Sequence, residues 1–139
     1  MENKKYFFIG IGGIGMSSIA QFLHEKGNIV FGYDQSNNRS IEILIDKGIG
    51  VTNKLNIEEI PNDIMGDDLE IVYTPAIKMD NIFLNYFILN GKNKIYKRSE
   101  ILGEISQNSK CIAVAGTHGK TTTTAIISDL FYSYGLKFK

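Results

Sequence analysis

Two glycine-rich stretches hold most of the chemistry available to this sequence. Gly10-Ile11-Gly12-Gly13-Ile14-Gly15 spells G-x-G-x-x-G between an apolar run and a segment of helical period. In that setting the first glycine permits a tight turn, the second lets backbone amides approach a diphosphate, and the third brings helix and strand together. The helix N-terminus adds partial positive charge. Asp34 stands nineteen positions after Gly15, at the end of the next apolar run, where a carboxylate can accept hydrogen bonds from ribose hydroxyls. A turn of small residues in any α/β protein could contain the same glycines; strand, helix and acid together favour a nucleotide diphosphate. Which nucleotide stays open, because NAD, FAD and a UDP-sugar all offer a ribose and a pyrophosphate.

The second stretch runs from Gly116 through Thr117, His118, Gly119 and Lys120 into four threonines, Thr121 to Thr124. This is P-loop chemistry: turn amides wrap a phosphate, the Lys120 ammonium reaches the β and γ oxygens, and the Thr121 hydroxyl is placed to ligate Mg2+. The general pattern G-x-x-x-x-G-K-[ST] wants glycine where this chain has Val114, so the loop is a variant. His118 reads as a loop histidine near the nucleotide and His24 as a solvated helix residue. Cys111 reads as a small core residue opening a buried strand. The basic cluster Lys92, Lys94, Lys97 and Arg98 reads as solvated loop charge, with contact to an anion as the alternative.

The elements that must position these residues alternate short β-branched or aromatic runs with helical segments, the pattern of an α/β protein with a parallel sheet. Strands are expected at 6–11, 28–33, 49–52, 69–73, 94–96 and 111–115. Helices are expected at 12–25, after Arg39, from Asp80 to Gly91, over 99–105 from a Ser99 cap, and after Lys120. Ile19, Phe22 and Leu23 share one helix face, as do Ile41, Leu44 and Ile45, then Ile82, Phe83, Tyr86 and Phe87, then Ile101, Leu102 and Ile105. The last helix carries Ile127, Leu130, Phe131 and Tyr134.

Composition narrows the function classes further. The 139 residues are 43% hydrophobic, and fifteen basic residues balance fifteen acidic ones. No global field is left to hold a nucleic-acid backbone or an anionic membrane. A single cysteine excludes an internal disulfide and fits a reducing compartment. The apolar stretch after Lys4 and Lys5 is interrupted by glycines and lacks a small-residue cleavage pattern, so a cytoplasmic protein is expected. The oligomeric state stays open.

In order and wording, the motifs resemble those of the N-terminal part of a bacterial Mur ligase. The resemblance rests on 8–17 (FIGIGGIGMS), Gly32-Tyr33-Asp34, Thr74-Pro75-Ala76-Ile77 with Asp80-Asn81, Arg98-Ser99-Glu100-Ile101-Leu102 and 113–124 (AVAGTHGKTTTT). The opening G-x-G-G-x-G-M-S points to the alanine-adding branch. The resemblance implies a Rossmann-like domain over 1–108 that binds the UDP part of UDP-N-acetylmuramate. It also implies the first strand, P-loop and helix of an ATP-binding domain over 109–139. Gly12, Gly13, Ile14, Gly15, Met16 and Ser17 would then face the diphosphate, Asp34 the ribose, and Thr74, Pro75, Ala76 and Ile77 the nucleotide-sugar. Gly116, Thr117, His118, Gly119, Lys120, Thr121 and Thr122 would hold ATP, with Lys120 catalytic and Thr121 on Mg2+. The implied reaction joins L-alanine to the lactyl carboxylate of UDP-N-acetylmuramate through an acyl phosphate.

The chain departs from the family at Thr52-Asn53, where Gly-His is common, and at Tyr73-Thr74, in place of a more usual Ser-Ser. Only nineteen residues follow Lys120. A P-loop ATPase needs further strands and a downstream acid for its magnesium. The expectation is therefore an N-terminal fragment of a three-domain ligase, inactive alone. The alternatives are an NAD-binding module of a dehydrogenase and a non-catalytic nucleotide-sensing domain, both of which leave the 116–122 loop without a purpose.

Overall fold

The computed structural model describes residues 3–136. The elements run β1 (Lys5–Ile9), α1 (Ile14–Glu25), β2 (Ile29–Tyr33), α2 (Arg39–Asp46), β3 (Gly50–Thr52), a 3-10 turn at Ile57–Glu59, β4 (Leu69–Tyr73), α3 (Ile82–Asn90), β5 (Ile95–Lys97), α4 (Arg98–Gln107) and α5 (Lys120–Ser133). Five strands form one parallel sheet in the order β3-β2-β1-β4-β5, a Rossmann-like arrangement. The chain divides into two compact units between Ile105 and Ser106.

The central strand explains the layering of the first unit. In Tyr6-Phe7-Phe8-Ile9 every side chain is fully buried, as a parallel strand covered on both faces requires. Tyr6 and Phe8 join Met16, Ile19, Leu23, Leu44 and Ile101 on the face covered by α1, α2 and α4. Phe7 and Ile9 point the other way, to Leu69, Ile71, Phe83 and Phe87. There the Phe83 ring centroid lies 5.0 Å from both Phe7 and Tyr33. Burial of each such side chain contributes on the order of 1.5–3 kcal/mol.

Several expected boundaries move for local reasons. Gly10 has φ +85° and Gly13 is extended, so α1 starts at Ile14 and not at Gly12. Asn81 caps α3, its Oδ1 accepting from the amides of Phe83 and Leu84 at 3.0 and 3.2 Å, so that helix does not begin at Asp80. α4 begins one residue before Ser99, and Glu100 Oε2 accepts the Lys97 amide at 2.6 Å beside its start. Ile45, Ile82, Tyr86 and Leu102 are exposed, because each helix presents only a narrow stripe to the sheet. Residues 111–115 pair with no strand among the described residues, and Cys111 is exposed instead of buried. A β-branched run forms a strand only where a neighbour takes up its backbone hydrogen bonds. α5 fully buries none of its side chains: Ile127 and Phe131 are half-buried, Leu130 is exposed, and Tyr134 stands exposed just past the helix end.

A polar cluster sits on the face of the sheet under α4. Lys4 Nζ lies 2.8 Å from the buried Glu70 and 3.9 Å from Glu104. Tyr6 Oη is buried without a hydrogen-bond partner. Burial first, then the charges of Glu70 and Glu104, hold the Tyr6 phenol well above its ordinary value and push Tyr96 up to about 12. Both tyrosines therefore favour the folded state as neutral phenols. Their contribution is complete below the ordinary value near pH 10 and declines as pH rises through the folded values. Urea unfolding across the alkaline range should show a steeper loss of stability above about pH 10 in the parent than in Tyr6→Phe. At neutral pH the substitution should leave the midpoint unchanged or higher. Equal alkaline slopes would contradict the burial of this phenol.

Candidate nucleotide-binding site

β1 pairs with β2 on one side and with β4 on the other, and Ile9 is in register with both Tyr33 and Tyr73. The loops after these three strands therefore leave the sheet at one level. This is the point where the strand order reverses, where open α/β sheets form their ligand crevice. A cleft of about 420 Å³ opens there. Gly12, Gly13, Ile14, Gly15 and Met16 line it from the first loop, Asp34 from the end of β2, and Thr74, Ala76 and Ile77 from the loop after β4.

Two expected members stand outside the lining. Ser17 is buried and its hydroxyl donates to the Ile14 carbonyl at 3.0 Å. Pro75 is exposed and its ring is not part of the wall. Thr52, at one of the family departures, is also turned inward, its hydroxyl accepting from the Lys54 amide at 3.1 Å.

The cleft also gains residues that sequence reasoning missed. Ser36 and Asn38 line it next to Asp34. Arg98, exposed at the start of α4, is part of the wall as well, so the charge that the sequence reads as solvated loop also borders the cleft. Its guanidinium lies so close to Gly15 that a Cβ there would stand 2.5 Å from Nη1. The signal was positional: Arg98 directly follows β5, and every parallel strand here delivers its next residue to the same edge.

The glycine loop is held from several directions. The amides of Gly10 and Ile11 both donate to the Tyr33 carbonyl, at 2.8 and 3.1 Å. The Gly12 amide donates to Asp34 Oδ2 at 2.7 Å. Asn38 Nδ2 donates to the Gly12 carbonyl at 3.2 Å. Beyond Gly13, α1 starts with no side-chain cap and no acidic residue in its first turn. Asn38 and Asn81, by contrast, cap α2 and α3. The opening amides of α1, at Ile14, Gly15 and Met16, have no intrahelical acceptor by the geometry of a helix start. With the helix dipole and Arg98 alongside, they form a donor-rich, positive corner of the kind that suits an anion. Burial, and then Asp34, raises the Tyr33 phenol, which stays neutral at the cleft wall.

In the second unit, Gly116 and Gly119 take positive φ values of 156° and 77°, curling the loop into the start of α5. Lys120 Nζ folds back on this turn and donates to the Gly116 carbonyl at 2.7 Å. The α5 start, like that of α1, has neither a side-chain cap nor a first-turn acid. Thr117, His118, Thr121 and Thr122 are exposed around it. The turn and its lysine suit a polyphosphate. Thr121 adds an exposed hydroxyl beside it, and no group of three His, Cys, Asp or Glu side chains suited to a metal occurs among the described residues.

The Mur ligase family catalytic-domain model matches residues 5–110, most of the chain and all of the cleft. The chain belongs to the Mur ligase family. Among curated members it is 43% identical over 137 residues to UDP-N-acetylmuramate--L-alanine ligase of Christiangramia forsetii, covering 96% of this chain and 30% of that protein. It is 45% identical over 128 residues to the enzyme of the same name from Porphyromonas gingivalis, covering 91% of this chain and 28% of the other. Among solved structures, UDP-N-acetylmuramate-alanine ligase MurC of Thermotoga maritima superposes with a TM-score of 0.80 at 29% identity, covering 92% of this chain and 29% of that one. The chain thus spans about three-tenths of the length of these Mur ligases.

The packing of the loop sets a stability test. A Cβ on Gly12 would lie 2.8 Å from Asp34 Oδ2 and 2.9 Å from Ile41 Cδ1. Gly12→Ala should therefore lower the unfolding free energy by about 1–3 kcal/mol in urea titrations, the usual cost of overpacking. A parent-like midpoint would contradict the close approach described here.

Proposed function

We propose that the cleft at the carboxyl edge of the sheet holds the UDP end of UDP-N-acetylmuramate, and that the chain serves an ATP-dependent ligase that adds L-alanine to the lactyl carboxylate. The observation that carries this is the uncapped start of α1 with Arg98 against it, at the strand-order switch of a Mur ligase chain. The names of the relatives support the choice of sugar and amino acid. Residues 1–108 form the sugar-nucleotide domain in this reading, and 109–139 contribute the ATP loop of a second domain. Ile14, Gly15 and Met16 supply amides to the diphosphate, Gly12 and Gly13 shape the loop, and Ser17 steadies the first turn from behind. Thr74, Ala76 and Ile77 border the sugar side, with Pro75 fixing their loop. No described helix is long and apolar enough to cross a membrane, and a cytoplasmic location accords with the use of ATP and a nucleotide-sugar.

A carboxylate is a poor electrophile until one of its oxygens becomes a leaving group. In the proposed reaction a lactyl oxygen attacks the γ-phosphorus of ATP, the bond to the β,γ-bridging oxygen breaks, and ADP leaves. The amine of L-alanine then attacks the acyl carbon, the carbon–oxygen bond to phosphate breaks, and inorganic phosphate leaves as the amine gives up a proton. Lys120, at the mouth of the 116–119 turn, faces the γ-phosphate and offsets the charge that moves during transfer. His118 and Thr122 flank the polyphosphate. The Thr121 hydroxyl would help to hold Mg2+, which when bound would supply charge neutralisation to the polyphosphate.

Calorimetry with UDP-N-acetylmuramate, ATP and NADH in parallel tests the assignment. UDP-N-acetylmuramate should bind, and Arg98→Ala should weaken it by about tenfold, the loss of one charge-assisted contact. NADH should give no heat. Tight NADH binding without a response to the UDP-sugar would replace the ligase reading with the dehydrogenase one. ATP binding, if it resides in the second motif, should be lost in Lys120→Ala while UDP-sugar binding is kept.

A further inference from the structure

The sequence pattern casts Asp34 as the acceptor of ribose hydroxyls, but its carboxylate is already engaged. Oδ2 accepts the Gly12 amide at 2.7 Å. Oδ1 accepts both the amide and the hydroxyl of Ser36, at 2.9 and 2.6 Å. A carboxylate has about four acceptor positions, so three are filled, and Oδ1 has none left for a ligand. A two-pronged grip on a ribose diol needs two free acceptor positions, and only one remains, on Oδ2.

The same structure holds the other end of the Gly12 peptide unit. Asn38 Nδ2 donates to the Gly12 carbonyl and to Ser36 Oγ, each at 3.2 Å. Asn38 Oδ1 accepts the Ile41 amide at 3.1 Å, which ties the arrangement to the start of α2. Gly12 therefore has its N–H fixed by Asp34 and its C=O fixed by Asn38, while Ser36 links the two side chains. Gly12 is buried, and the residues directly after it deliver the opening amides of α1 to the cleft.

We infer that Asp34, with Ser36 and Asn38, is a positioning residue that clamps the Gly12 peptide and thereby aims the α1 amides at a diphosphate, and that it is not the ribose ligand. This rests on the reading of the cleft as a UDP site. It implies that recognition at this end of the cleft senses the diphosphate more than the sugar hydroxyls of the nucleoside. It also implies that the Asp34 carboxylate works through the backbone.

The test compares UDP with 2′-deoxy-UDP by calorimetry on the whole chain and on Asp34→Asn and Asn38→Ala, with amide hydrogen exchange at Gly12 followed by NMR. The unsubstituted chain should bind the two nucleotides within about twofold of each other, since the Asp34 carboxylate is spent on the Gly12 and Ser36 donors and not on the 2′-hydroxyl. Each substitution should weaken both nucleotides equally, by about five- to tenfold, and speed exchange at Gly12. Asn38→Ala matters most here, because it leaves Asp34 in place while removing the second jaw of the clamp; the same side chain also caps α2, so the urea midpoint is measured beside the affinities. A preference of about tenfold or more for UDP over its deoxy form that disappears in Asp34→Asn would make Asp34 a ribose ligand and overturn the inference while leaving the UDP reading intact. A Gly12 amide that exchanges freely in the unsubstituted chain would overturn it without reference to any ligand. Failure of UDP to bind the unsubstituted chain would overturn the UDP reading itself, and this inference with it.

Discussion

The parallel pairing of β1 with both β2 and β4 is the constraint on which the rest of the first unit depends. Parallel neighbours must be reached by a crossover, so each strand sends its chain out at one edge and receives it back at the other. Once Ile9, Tyr33 and Tyr73 are in register, three loops with no sequence proximity emerge side by side. The reversal of direction at β1 keeps helices from covering the gap between them. The cleft is thus a product of topology, and side chains only decide what it binds. Four consecutive residues, Tyr6 to Ile9, serve both of the cores that hold this sheet by simple alternation.

The interior of the sheet was the most legible part of the sequence. β4 lies at 69–73 as its apolar run implies, and Asp34 follows β2. Buried parallel strands are continuous apolar runs, and nothing polar competes with that signal. Helix faces were less legible. Ile45 and Leu102 fit an apolar periodicity yet face outward, because periodicity gives the direction of a stripe and not its width. Residues 111–115 have strand-like composition but no strand, since pairing is a property of neighbours that a local pattern does not contain.

Within the site, the glycines were legible because their requirement is steric and local, whereas the polar partners were not. Asn38 looks like any loop asparagine until α2 is seen to begin just after it. Arg98 sat among lysines that are as exposed as it is, and only its place after β5 sets it beside the cleft. Asp34 was found for a sound reason and acquires a different set of partners in the fold, two of them backbone amides. Side chains that act on backbone leave a weaker trace in sequence than those spaced for a ligand, because many polar residues can stand at such positions.

The contrast among helix starts has a thermodynamic consequence. Asparagines complete the first turns of α2 and α3, while α1 and α5 begin at glycines that offer no side-chain acceptor. A good cap contributes about 1 kcal/mol, so the two motif helices begin with less intrinsic support than their neighbours. An anion that supplies the missing acceptors would act as a removable cap. Occupancy and helix order then become one equilibrium, in which the first turn of each motif helix is firmest when a phosphate is present and frays most readily when it has gone.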